Sequence, residues 1–215
     1  MRVLALDTAS ARCAVAVSIE GETVASVEEP MARGQAERLI PLAQSVLAEH
    51  GLRWRDLNRI AVGVGPGNFT GIRIAVSAAR GLALALDIPA IGISAFDALA
   101  FGAAGPVLVT LDAKRDRLFV QGAGGVDLAP RQIDWRGLHH LDLPAGTRVL
   151  GHRAREIAAL LRAEPGAEAD IAPPGAYAAL GAAAPPPFDA PAPLYLRSAD
   201  AAPPAKPVPV LLNGT

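Results

Sequence analysis

Two stretches of the chain carry residue types that could do chemistry. Asp7-Thr8 ends a short apolar strand, and Gly65-Pro66-Gly67-Asn68-Phe69-Thr70-Gly71 leads from a second apolar strand into a helix. A carboxylate at a strand end suits Mg²⁺ held together with phosphate, and backbone amides at a helix N-terminus cradle an anion. Asp112 closes a later strand in the same way and supplies a second carboxylate. The candidate nucleotide or anion site is therefore Asp7, Thr8, Gly65, Gly67, Asn68, Thr70, Gly71 and Asp112. Each part also has a plainer reading. A lone Asp at a strand end bonds nearby amides within a turn, and the glycines allow a tight turn and close helix-to-strand approach. A Walker-type loop ends in Lys followed by Ser or Thr, whereas Ile72-Arg73 stands here. The Pro-rich second half shows no glycine-rich adenosine loop.

Other catalytic constellations find little support. The four histidines, His50, His139, His140 and His152, form no i, i+4 pair able to aim two imidazoles at one ion from a helix face, so no metal site and no cofactor is expected. No Gly-x-Ser-x-Gly elbow occurs. The single cysteine, Cys13, sits in the alternation Cys13-Ala14-Val15-Ala16-Val17, reads as a buried structural thiol, and implies a reducing, cytoplasmic setting. Lys plus Arg total 20 against 21 for Asp plus Glu, which lacks the positive field of a protein that holds nucleic acid alone. Two small basic clusters, Arg53/Arg55/Arg59 and Lys114/Arg115/Arg117, read as solvated turn surface. No signal peptide or membrane span is expected: Asp7 interrupts the first apolar run, and 72–86 is short and holds Arg73 and Arg80.

These residues need elements to position them. Apolar residues make up 51% of the 215 but aromatics only 4%, so the core must be built of Ala, Val, Leu and Ile in aliphatic layers, which favours an α/β fold. Strands are expected at 3–6, 13–19, 23–27, 60–64, 89–93, 107–111, 118–120 and 149–151. Helices are expected where Leu39, Ile40, Ala43, Val46 and Leu47 recur at helical spacing, and at 72–86, 95–101 and 155–161. Leu111-Asp112, a polar turn closing at Arg117, and Leu118-Phe119-Val120 repeat the order of Leu6-Asp7, Arg12 and Cys13-Ala14-Val15, as a duplicated βββαβα unit would. From Glu164 onward Ala and Pro dominate, and the prolines between 203 and 209 predict a mobile tail.

The helix 72–86 is apolar nearly all round, with only Arg73, Ser77 and Arg80 as a polar face. Such a helix requires cover on more than one side. One side can lie on a sheet; the other calls for a second chain or a neighbouring helix of the same chain, and composition leaves both open.

The strings Leu4-Ala5-Leu6-Asp7-Thr8-Ala9, Glu37-Arg38-Leu39-Ile40-Pro41, Gly65-Pro66-Gly67-Asn68-Phe69-Thr70-Gly71-Ile72-Arg73, and Pro193-Leu194-Tyr195-Leu196-Arg197 with Asp200-Ala201, fall in the order of the TsaB (YeaZ) family, which the chain resembles. The resemblance is dense over 1–120, and the Gly-Pro-Gly-x-Phe-Thr-Gly-x-Arg string is its most specific part. It implies an actin/Hsp70/sugar-kinase-like fold of two ribonuclease-H-like lobes, 1–104 and a reduced 105–198, followed by the Pro-rich tail 199–215. It also implies a non-catalytic scaffold for threonylcarbamoylation of the tRNA adenosine beside the anticodon. The partners implied are a TsaD-like catalytic paralogue and a TsaE-like ATPase, with tRNA reached only through the complex and a homodimer as a further form. Carried onto this sequence, the partner interface falls on Leu39, Ile40, Ala43, Val46, Ala75, Ala78, Ala79 and Leu82. The competing expectations are an actin-like nucleotide-binding ATPase or kinase, which would use the Asp7/Asp112 site, and a peptidase, which has no catalytic residues to stand on.

Overall fold

The computed structural model describes residues 1–196. The tail expected at 199–215, and with it Arg197, Asp200 and Ala201, lies outside the described residues.

Alternation of small and branched apolar residues builds the first sheet. Strands β1 (Arg2–Asp7), β2 (Arg12–Ile19) and β3 (Glu22–Pro30) form an antiparallel meander, and β4 (Arg59–Gly63) and β5 (Ala90–Ile93) extend it in parallel, giving the order β3-β2-β1-β4-β5. β1 is central and buried from Val3 to Asp7, as an apolar strand covered on both faces must be. Helices α1 (Gln35–Glu49) and α2 (Phe69–Leu86) cover one face, where Leu4, Leu6, Val15, Val17, Leu39, Val46, Ile72, Ala75 and Ala79 share a core. α1 starts one turn earlier than the apolar spacing suggests, which places Pro41 inside the helix.

The second sheet repeats the design. β6 (Val107–Asp112), β7 (Arg117–Ala123), β8 (Arg131–Asp134), β9 (Arg148–Gly151) and β10 (Glu164–Glu168) stand in the order β10-β9-β6-β7-β8, with the same antiparallel and parallel pairings. The repeat hinted at by Leu6-Asp7 and Leu111-Asp112 is thus present in topology. Reduction of the second lobe lies in its helices: α4 (Trp135–Leu138) and α5 (Ala154–Leu161) span 4 and 8 residues against 15 and 18 for α1 and α2.

The third helix of each repeat crosses over. α3 (Ala95–Ala100) sets Ala95 and Phe96 against Val107, Val109 and Leu111 of the second sheet, and α6 (Pro174–Ala183) sets Ala176, Tyr177 and Ala178 against Val3, Ala5, Ala16 and Ala61 of the first. This corrects the division at residue 104, which assigns α6 to the second lobe. Its small residues have a physical reason: a Cβ on Gly181 would stand 2.6 Å from that of Ala61, so the helix lies against the strand backbone. Arg59, expected on solvated turn surface, instead ties down the end of α6. Its NH1 donates to the carbonyls of Gly181, Ala182 and Ala184 at 3.0, 3.1 and 2.8 Å, and the guanidinium sits 4.8 Å from the Phe188 ring centre. Those carbonyls are the ones a helix end leaves without partners.

Candidate functional site

Asp7 ends β1 on a tight hairpin, and its carboxylate is 3% exposed. It is not free to hold a metal or phosphate. Arg12, at the start of β2, donates from NH2 to Asp7 Oδ2 at 3.1 Å and to the Ala172 carbonyl at 2.6 Å, and from NH1 to Glu28 Oε2 at 2.6 Å. Asp7 Oδ1 accepts the Ala9 amide at 3.1 Å and lies over Gly63, where an added Cβ would stand 2.3 Å away. The Arg12 side chain, itself 5% exposed, fills the mouth of the hairpin and joins β1, β2, β3 and the approach to α6. Burial raises the Tyr177 phenol well above its ordinary value beside this network, and the Asp7 charge adds to the shift.

The glycine-rich loop is sewn to the same hairpin. The Thr8 hydroxyl donates to the Gly71 carbonyl at 2.6 Å, and the Asn68 amide donates to the Ala9 carbonyl at 2.7 Å. Asn68 caps α2 by accepting the Gly71 amide at 2.9 Å. Cβ atoms on Gly67 and Gly71 would stand 2.3 and 1.9 Å from the carbonyl oxygens of Ala9 and Thr8. Gly65 takes φ +93°, and its carbonyl accepts the Ala95 amide at 2.8 Å. Tight turn and close backbone approach therefore account for Gly65, Gly67 and Gly71, while Thr70 is exposed at the start of the helix.

Asp112 repeats the pattern in a wetter setting. Its two oxygens accept the Lys114 amide at 2.8 Å and the Lys114 ammonium at 2.5 Å. Burial alone would raise its pKa, but the Lys114 hydrogen bonds, the Lys114 charge and His152 outweigh it and the value is lowered. Asp7 and Asp112 are each held by a cation of their own hairpin, and no hydrogen bond or ion pair joins them. Among the described residues no group of three or more His, Cys, Asp or Glu is placed to hold a metal ion. Cys13 is fully buried, and burial, with a smaller push from Glu29, raises its thiol to about 11.

The expected partner interface lies largely inside the chain's own core. Leu39, Ala43, Val46, Ala75 and Ala79 are buried there, and Ile40, Ala78 and Leu82 are half-buried. The outward face of α2 carries Phe69, Arg73, Ser77, Arg80, Gly81 and Leu84 instead. Leu84 is 86% exposed and Phe69 51%. Arg73 lies 3.7 Å over the Phe69 ring and donates from Nε to the Tyr195 hydroxyl at 2.8 Å. Two adjoining hollows of about 500 and 510 Å³ share Arg80, one reaching to Leu84 and Pro191, the other to Arg73 and Pro193. The signal was present in the sequence: Arg73, Ser77 and Arg80 mark the outward stripe, and Leu84, at the next step of the same spacing, is an apolar residue on a polar face. α2 is long and apolar enough by length and composition to cross a membrane, contrary to expectation, but its Ile72, Ala75, Val76, Ala79 and Ala83 are buried on the chain's own sheet.

Residues 23–164 match the family model described as TsaD: tRNA N6-adenosine threonylcarbamoyltransferase. The tRNA threonylcarbamoyladenosine biosynthesis protein TsaB of Escherichia coli K12 is 39% identical over 145 residues, 65% of this chain and 59% of that protein. A crystal structure from Pseudomonas aeruginosa, described as an uncharacterized protein with similarity to peptidase YEAZ, superposes with a TM-score of 0.70 at 26% identity, over 91% of this chain and 99% of that one. The chain belongs to this family, on its TsaB (YeaZ) side. Likeness to the uncharacterized protein Rv3421c of Mycobacterium tuberculosis H37Rv runs almost end to end, 33% identical over 207 residues and 94% of both chains. The match to the curated E. coli protein spans about three-fifths of that protein's length. Family membership and the paired five-stranded sheets agree on the actin-like α/β fold.

Proposed function

We propose that the chain is a non-catalytic partner subunit in threonylcarbamoylation of tRNA adenosine next to the anticodon, acting by docking onto a TsaD-like catalytic paralogue. A TsaE-like ATPase completes the assembly, tRNA is reached through the complex, and the protein works in the cytoplasm. The observation that carries this reading is the closed carboxylate site. Asp7, where an actin-like enzyme would coordinate magnesium and phosphate, is committed to the buried Arg12, and Asp112 to Lys114. The fold is kept while its expected nucleotide carboxylates are occupied from within. The exposed stripe of α2 gives the scaffold a surface to act through, and the name of the E. coli relative supplies the pathway.

Reconstitution tests this. With the TsaD-like and TsaE-like proteins, ATP, threonylcarbamoyl-adenylate and tRNA, omission of this chain should abolish product, and the isolated chain should hydrolyse neither ATP nor peptide above background. Magnesium-dependent ATP turnover by the isolated chain that disappears in Asp7→Asn would overturn the scaffold reading in favour of an ATPase or kinase.

A further inference from the structure

The tips of the two equivalent hairpins are held in opposite ways. The first, Thr8-Ala9-Ser10-Ala11, is tied to its lobe: the Thr8 hydroxyl and the Ala9 carbonyl bond the glycine-rich loop, and Gln35 Nε2 donates to the Ser10 carbonyl at 2.9 Å. The second, Lys114-Arg115-Asp116-Arg117, is exposed throughout. The bonds that close it, Lys114 to Asp112, Arg117 to Lys114 and Ala113 to Arg117, stay inside the hairpin, and among the described residues no hydrogen bond joins 114–116 to another element. Lys114, Arg115 and Asp116 take φ of +62°, +54° and +54° in succession, the one run of three such non-glycine residues among those described. L side chains resist this left-handed backbone, and the chain uses glycine for it at Gly21, Gly65 and Gly146. Strain retained with charged side chains marks a segment that uses those side chains.

Charge and composition restrict what the tip meets. Lys114 is engaged with Asp112, but Arg115 and Arg117 form no ion pair among the described residues. Beside them Arg153 lies 4.0 Å from the Trp135 ring centre, and its pKa is raised chiefly by its hydrogen bonds to Glu156 and in smaller part by the charge of Asp116 at the tip. A protein partner would need an apolar anchor to bury, and residues 114–117 hold none. A phosphate backbone needs only cations, and the planar guanidinium matches two phosphate oxygens at once. Resting on the reading above that this chain serves tRNA modification, we propose that the β6–β7 tip is a contact for the tRNA phosphate backbone in the assembled complex, made by Arg115 and Arg117 with Arg153 and Trp135 at its flank. Two such contacts are too few to hold RNA alone, in keeping with 20 Lys and Arg against 21 Asp and Glu. They add to what the partner supplies.

The test is binding and turnover of an unmodified tRNA transcript by the reconstituted complex, over a range of salt, with the wild-type chain, Arg115→Gln/Arg117→Gln, Arg115→Lys/Arg117→Lys and Arg115→Gly. The glutamine variant should assemble with the TsaD-like paralogue as the wild type does, raise the KM for tRNA by roughly 10-fold with kcat unchanged, and flatten the logarithmic salt slope of tRNA binding by about 1 to 2. The lysine variant keeps the charge and should recover most of that loss. Arg115→Gly separates use from structure: glycine is at ease in the left-handed region, so the melting temperature should hold while tRNA affinity falls. Wild-type KM and salt slope in variants that assemble normally overturn the inference and leave the scaffold reading standing. Weakened binding to the paralogue with unchanged tRNA affinity of the complex gives the tip to a protein and overturns it as well. If the complex forms product equally well without this chain, the scaffold reading falls and takes the inference with it.

Discussion

The two lobes share one strand order and one set of pairings, yet they spend their hairpins and helices differently. In the first, the β1–β2 turn buries an Asp–Arg pair, 3% and 5% exposed, and in the second the β6–β7 turn carries an Asp–Lys pair whose lysine is 76% exposed. The same charge logic is structural in one lobe and superficial in the other. The helices diverge in parallel: α1 and α2 are long, and α2 keeps an outward face beyond what its own sheet needs, whereas α4 and α5 are short and end where the second core ends. A duplicated fold can therefore hold its shape with minimal helices, and the surplus in the first lobe points to a task outside the chain.

Removing one partner from each hairpin gives the largest contrast. Arg12→Ala leaves Asp7 buried without a counter-charge and frees the Ala172 carbonyl, so it should destabilise by roughly 3–5 kcal/mol. Lys114→Ala should cost no more than about 1 kcal/mol, the range for an exposed pair. Urea unfolding of the two variants measures both, and equal losses would show that the hairpins are equivalent. Glycines sharpen the comparison within the first lobe. Gly71→Ala drives a methyl into the Thr8 carbonyl and should cost about 1–3 kcal/mol, whereas Gly81→Ala, in open space on the same helix, should be neutral or stabilise by up to about 1 kcal/mol.

The buried thiol has no counterpart in the second lobe, since Cys13 is the only cysteine in the sequence. Its folded pKa of about 11 lies above the ordinary thiol value of 9.0, so the neutral thiol favours the folded state. That contribution, on the order of 2 kcal/mol, is fully present below pH 9 and is lost as pH rises to 11. Denaturation midpoints of the wild type and Cys13→Ala should therefore converge in that window, and a constant gap between them would contradict the assignment.

The first lobe was legible because its strands and helices carry strong apolar periodicity and its turns carry Gly, Pro and Asn. The second was read only in part. β8, Arg131-Gln132-Ile133-Asp134, has one apolar residue, and β10, Glu164-Pro165-Gly166-Ala167-Glu168, reads as loop because Pro and Gly are tolerated on an edge strand paired on one side only. α6 was hidden for the opposite reason. Its Ala and Gly content looks like low complexity, but small residues are what close approach to the first sheet requires. The candidate site was legible in its residues and not in their state: Asp7 and the glycine loop stand where expected, but nothing local announces that Arg12 turns back onto Asp7 while reaching Ala172, 160 residues on. The expected interface shows a different limit: an apolar list selects residues that the chain itself buries, whereas the outward face of α2 is marked by Arg73 and Arg80.

The central claim is that the surplus face of α2 is where another protein docks. Leu84→Glu tests it most directly, because a residue 86% exposed can take a charge without strain in the free chain but not under a partner, where an unpaired buried charge is strongly disfavoured. The account predicts a melting temperature within about 2 °C of wild type and an affinity for the TsaD-like paralogue reduced by roughly 100-fold or more, with loss of tRNA product in the reconstituted system. Wild-type affinity and wild-type product yield in Leu84→Glu would contradict it.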